Sequence, residues 1–202
     1  MPSFVAHGLI GASLGAALHR RPFNWRYWFV VLFLPVMPDL DVGLMTFGVP
    51  YEHMFGHRGI MHSLPFALLV GFGVVTWVFS EVKRGSRAWW LWGTFFTALT
   101  ASHGLLDMLT NGGHGIALLA PFSGERYFFP ERWQVIEVSP FDWRMLVSRR
   151  GLTPWGKAIL LSEFKYAIGP ALAIGSVLLA GRALRPRRAP VADAPTPGAG
   201  AG

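Results

Sequence analysis

The chain contains no cysteine. It can build no disulfide framework, no thiolate metal site and no cysteine nucleophile, so any metal it holds takes nitrogen and oxygen ligands. Charge is scarce too. Asp, Glu, Lys and Arg supply 14% of the 202 residues, against about 25% in an ordinary soluble domain. With 52% of residues hydrophobic, this deficit points to a membrane protein. No internal repeat is visible. No positive charge precedes the first apolar run; Arg20 and Arg21 follow it, the reverse of a secretory signal, so that run is expected to stay as a helix. The net charge of +7 does not argue for a nucleic-acid partner, because the basic residues flank apolar runs and form no stripe with interleaved aromatics.

Apolar runs cover roughly 5–19, 27–50, 64–80, 88–110 and 158–181, and a transmembrane helix needs about 20 such residues. The expected fold is an all-α membrane protein, a polytopic helical bundle of about five transmembrane helices with a long outer connection at 111–157. One membrane-embedded domain would span 1–181. A tail at 182–202, basic and then rich in Ala, Pro and Gly, is expected to be disordered. Arg20, Arg21 and Arg26, then Lys83, Arg84 and Arg87, then Arg182, Arg185, Arg187 and Arg188 fall on one side of such a bundle, and the positive-inside rule makes that side cytoplasmic. Arg126, Arg132, Arg144, Arg149, Arg150 and Lys157 in the outer connection run against this, but long loops weigh less. Tryptophans near both ends suit interfacial anchoring, and Gly11 and Gly15 have the spacing that lets helices approach closely.

Imidazoles and carboxylates are costly inside a membrane, yet four groups recur in or beside the apolar runs: His7; Asp39 and Asp41; His57 and His62; His103 and Asp107. Counting helical rise from the cytoplasmic ends puts His7, Asp39, His62, His103 and Asp107 at roughly 18–28 Å, all in the outer half of a core about 30 Å thick. Neutral imidazole and carboxylate together make a divalent metal site. His103 and Asp107, at i and i+4, share one helix face. Pro35 and Pro38 are expected to break the second run and open a polar cavity there. In a loop both Asp39 and Asp41 can face one way; in a helix they diverge and one alone is a ligand. In His57-Arg58-Gly59-Ile60-Met61-His62-Ser63 the two histidines do not share a helix face. His57 is expected in a loop, with Gly59 permitting a tight turn and His62 opening the third helix. Ser63 either caps that helix or supports the site. Arg58 is assigned to an anionic substrate or to the interface. His53 and His19 are placed outside the site, and His114 is an outer alternative.

The ordered set resembles a known family. His7 before a Gly-rich helix, Pro38-Asp39-Leu40-Asp41, His57-Arg58-Gly59 with His62-Ser63, and Ser102-His103 with Asp107 look like the LexA-regulated, membrane-bound metal-dependent hydrolase family. Thr110-Asn111-Gly112-Gly113, Pro121-Phe122-Ser123 and Arg126 look like its later segments. The resemblance covers about residues 1–180. It implies a multi-pass protein of the bacterial inner membrane with hydrolase activity and a bound divalent metal, and it names no substrate. A looser similarity links the His, Asp, His and His-x-x-x-Asp order to zinc-dependent phospholipase C and the P1-type nucleases. The N-terminal Trp amine and the later His-x-x-x-Glu pair of those enzymes are missing here, which favours one or two metals over three.

The leading expectation is a hydrolase acting on a phosphoester or ester, with a lipid-like substrate suggested by the membrane setting. His7, Asp39, His57, His62, His103 and Asp107 are the candidate ligands of a divalent ion, with zinc the expected one. Asp39 or Asp41 serves as base if it is not a ligand, and Arg58 and Arg126 bind an anionic group. The rival is an ion or proton-coupled transporter, since intramembrane His and Asp also build relays; one break and no repeat fit that poorly. A third reading is a closed metal site that only stabilises the fold.

Overall fold

The computed structural model describes residues 2–18, 24–138, 143–148 and 151–184. His19, Arg20, Arg21, Arg149, Arg150 and the tail from 185 lie outside the described residues.

Each apolar run becomes helix. Helix α1 is Phe4–Leu18, α2 is Trp25–Phe33, a 3-10 turn at Met37–Asp41 leads into α3 at Val42–Thr46, and α4 is Leu64–Gly73 with a π turn at Val74–Val78. Helix α5 is Arg87–Met108; α6 is Pro154–Glu163, and a π turn at Phe164–Ile168 joins it to α7 at Gly169–Ala183. The starts are chemically marked. Asn24, Ser63, Ser86 and Thr153 are N-caps whose side chains accept backbone N–H bonds from the first turns of α2, α4, α5 and α6, satisfying donors that a helix start leaves unpaired. The last helix begins at Pro154, four residues before the apolar run itself.

Five full spans are not what the lengths show. Among the described residues, Pro154–Gly181, at 28 residues, is the one helix long and apolar enough to cross a bilayer. The α2 helix and the 3-10/α3 segment pass the same test only as a pair bent by 65°. Helix α1 has 15 residues, roughly 22 Å of rise. Helix α5 has 22 residues but carries Arg87, His103 and Asp107.

The surface is apolar and the interior partly polar, the reverse of a soluble domain. Phe47 is 86% exposed, Phe122 84% and Trp77 73%, whereas His7, His103, Asp107 and Glu163 are fully buried. Helices pack where glycine permits. A Cβ at Gly11 would lie 2.0 Å from the Val31 carbonyl oxygen, and one at Gly15 would meet the Val31 side chain; the Tyr27 hydroxyl donates to the Gly15 carbonyl across the same contact. Gly71 lets α4 meet Thr97 of α5, and Gly175 lets α7 meet Ser13 of α1. Helix α1 thus lies between α2 and α7. Its N-terminus is held by Glu163, which accepts from the Ser3 backbone N–H and hydroxyl.

At one end of the bundle Arg26 reaches the Val78 carbonyl and Glu81. At the other end the polar residues of α1, the bent α2–α3 segment, the 3-10 turn Ile60–His62 before α4, and α5 meet. The connection after α5 folds over that end: Thr110 bridges Ile136, Ile116 bridges Tyr127, and the Leu64 N–H donates to Leu118. A short hairpin pairs Val147–Ser148 with Gly151–Leu152 before α6.

Gly11→Ala should therefore force α1 from α2 and destabilise the protein by about 1–3 kcal/mol, the usual cost of overpacking. Gly8→Ala, whose Cβ would meet only Val36 at 3.9 Å, should not. Thermal unfolding in detergent separates them, and equal stability of the two variants would refute this packing.

Candidate metal centre

The break in the second apolar run creates both carboxylate positions. Pro38 has no N–H, so a 3-10 turn offers the Pro35 carbonyl no donor. The Asp39 N–H bonds to Val36 instead. The Pro35 oxygen thus released accepts from His103 Nδ1 at 2.7 Å. Asp39 and Asp41 sit on the tight turn that follows and do diverge. Asp39 faces His62, His103 and Asp107, while Asp41 faces His57 and His62.

The His57–His62 segment is a folded loop and one 3-10 turn, Ile60–His62, with Ser63 capping α4 through Phe66 N–H. Positive φ falls on Arg58 (62°) and not on Gly59. Gly59 is required for a different reason: a Cβ there would lie 2.2 Å from the Met54 carbonyl oxygen. Gly104, between His103 and Asp107, has no side chain to keep the His62 backbone off α5.

Two groups result, sharing His62. In the first, His103 Nε2 lies 3.1 Å from Asp39 Oδ1 and 3.8 Å from Asp107 Oδ2, and His62 Nε2 lies 3.7 Å and 3.5 Å from the same two oxygens. One atom from each of these four residues fits within 4.8 Å of all the others. Four ligands about 2.0–2.1 Å from a tetrahedral ion are separated by about 3.3–3.4 Å, so this spacing suits a shared cation. In the second, Asp41 Oδ1 is 2.7 Å from His57 Nδ1 and Asp41 Oδ2 is 3.1 Å from His62 Nδ1. The first is a hydrogen bond; the second is a close contact without hydrogen-bond geometry. The Pro35 carbonyl on His103 Nδ1 requires the proton there, which leaves the Nε2 lone pair of the neutral ring aimed at the first group.

The first group is not satisfied internally. Both oxygens of Asp39 and of Asp107, His103 Nε2 and both nitrogens of His62 and His7 make no well-formed hydrogen bond among the described residues. So many under-satisfied buried atoms in one place need an explanation.

Arg58 is 1% exposed. Its Nε lies 3.0 Å from Asp107 Oδ2, and its terminal nitrogens donate to the Gly112 carbonyl and the Thr110 hydroxyl. Its own N–H donates to Asp41 Oδ2. With its guanidinium engaged inside the protein, Arg58 is not the receptor for an anionic substrate expected from the sequence; it holds Asp107. Arg126 is likewise tied to carbonyls, those of His57, Gly115 and Tyr51. Tyr51 packs edge-on to His57, and burial raises its phenol above the usual value.

His7 arrives at the site but outside the four-atom group; its ring stacks on His103 with centroids 3.8 Å apart. His57 bonds to Asp41 and packs edge-on to His62, and it supplies no atom to the first group. His53 is exposed beside Phe55, and His114 is exposed near Glu52. The contributions that side-chain patterns could not show are the Pro35 and Gly112 carbonyls. Thr110 stood in a family-like segment that gave it no role.

Comparison with known proteins now adds the family. The model of the YdjM inner membrane protein family matches residues 1–185. The chain belongs to that family. It is 36% identical over 178 residues to inner membrane protein YbcI of Escherichia coli (strain K12), covering 88% of this chain and 97% of that protein. No solved structure matches. This YdjM-family chain is therefore a bacterial inner-membrane protein, and the polar cluster described above lies wholly within the matched region.

Arg58→Met should leave Asp107 buried and unpaired, at a cost of about 3–5 kcal/mol. Arg58→Lys keeps a charge but loses the fork to Thr110 and Gly112, and should lie between. Unfolding in chelator reads this out. A metal-free Arg58→Met protein as stable as the parent would show that Arg58 does not hold Asp107.

Proposed function

We propose that this protein is a membrane-embedded, metal-dependent hydrolase acting on a phosphoester or ester of lipid-like character. The observation that carries the reading is the buried Asp39–His62–His103–Asp107 group, with ligand atoms at coordination spacing and no well-formed hydrogen bond on them among the described residues. Charge supports it as well. The cluster sets three carboxylates, Asp39, Asp41 and Asp107, against one buried guanidinium, that of Arg58 beside Asp107, and a single divalent cation would neutralise the remainder. A two-imidazole, two-carboxylate set suits zinc among the borderline ions. Such an ion, when bound, lowers the pKa of a water and polarises a phosphoryl or acyl oxygen.

The chain's own residues have distinct parts in this reading. Asp39, His62, His103 and Asp107 are the ligands. Asp41 is bonded by His57 Nδ1 and by the Arg58 N–H, and so is neither a ligand nor a base, since both its oxygens are engaged. His57 belongs to that supporting layer. Of the four ligand side chains Asp39 alone is exposed, to 10%, and Leu40 beside it is 57% exposed. Approach from that side passes apolar surface, which favours an amphiphile. The family-like motifs quoted above support hydrolysis. Five crossing segments, with the site in the outer half and the Arg26–Glu81 end cytoplasmic, complete the reading.

Purified protein should carry close to one equivalent of zinc or a similar divalent ion, measured by elemental analysis. Alanine at Asp39, His62, His103 or Asp107 should each lower occupancy at least tenfold, and His53→Ala should not. Equal retention in all five variants rejects the centre.

In detergent, with no gradient, the protein should cleave a phosphoester or lipid ester, lose the activity to chelator and regain it with divalent metal. Gradient-driven flux in sealed vesicles without hydrolysis would replace this reading with transport.

A further inference from the structure

His7 is the fully buried histidine that the ligand set leaves over. Both its ring nitrogens lack partners among the described residues, and it is 0% exposed. An imidazole buried without partners is costly, so its place needs a reason. Helix α1 is fixed firmly enough to make that place deliberate. Glu163 grips Ser3 at its start, the Ser3 carbonyl accepts the His7 N–H, and Gly11 locks the next turns onto Val31.

The stacking geometry says what His7 does not do. Its ring lies 16° from parallel to His103 with centroids 3.8 Å apart. An imidazole binds a cation along the in-plane lone pair of its nitrogen. A cation in the plane of His103 is then displaced by most of that separation from the plane of His7. The two rings cannot both coordinate it, which agrees with the absence of His7 from the four-atom group. What a ring stacked on a ligand ring can reach is a group seated beside the cation, one layer over.

We propose that His7 is the hydrogen-bonding residue for the exogenous ligand of this centre, the oxygen that water or substrate brings to the cation, and is not itself a metal ligand. This rests on the metal-centre reading above and adds to it the residue that recognises the incoming group. His103 and His7 thereby divide the work of a stacked pair, one ring for the cation and the other for what the cation holds.

The test uses full-length protein in detergent loaded with cobalt(II), with azide as the probe and the visible absorption spectrum as the readout. His7→Phe keeps a flat ring against His103 and removes the nitrogens. It should bind the same amount of cobalt as the parent while its azide Kd rises at least tenfold. His7→Gln, which restores an N–H donor, should recover part of that loss and serves if His7→Phe misfolds. Loss of cobalt in His7→Gln and His7→Phe would make His7 a ligand and overturn the proposal. Unchanged azide affinity would overturn it too. A parent protein that binds no cobalt removes both this proposal and the metal centre, whereas the expected azide result without hydrolysis of any ester removes only the hydrolase reading.

Discussion

The ion pair between Arg58 and Asp107 is the constraint on which the other polar contacts rest. Asp107 sits on α5, completely buried, and a lone carboxylate there would be prohibitive in an apolar bundle. The guanidinium beside it comes from a loop, at a backbone angle that side chains rarely adopt. That conformation is held from both sides, by Asp41 on the Arg58 N–H and by Ala117 donating to the Arg58 carbonyl. One residue therefore joins the bent segment, the long central helix and the connection that covers the site. A Cβ at Gly113 would lie 2.5 Å from an Arg58 terminal nitrogen, so the glycine pair after Thr110 leaves room for the guanidinium.

The second organising fact is the use of a broken helix. Breaking a helix in an apolar layer exposes carbonyls that must be satisfied by the protein itself. Here the freed Pro35 oxygen is satisfied by His103, so the defect that bends α2 also fixes the tautomer of a ring in the site. The two devices, bend and oriented histidine, are one piece of chemistry. The rings of His62 and His103 converge on the space between Asp39 and Asp107.

Much of this was legible in the residues. Costly His and Asp in apolar runs marked the cluster, the i,i+4 spacing of His103 and Asp107 put them on one face, and Pro35 with Pro38 marked the break. Helix existence was readable from the apolar runs; Ser63 could be read as a cap, whereas Asn24, Ser86 and Thr153 show that role only in the structure. Crossing lengths were not readable, since α4 is short and the second run is bent by 65°. The division of labour was also hidden. Arg58 looked like a surface cation because its partners lie some fifty residues away, and Asp41 looked equivalent to Asp39 because only the turn decides which way each points. Backbone carbonyls carry no sequence signature at all.

The last helix contributes no member of the cluster, yet Glu163 within it closes onto Ser3 at the very start of α1. In order of synthesis, Asp39 through Asp107 are complete before α6 begins. A first helix out of place would leave the buried Glu163 carboxyl without the two Ser3 donors, so the start of the bundle and its last-made segment are tied to one geometry.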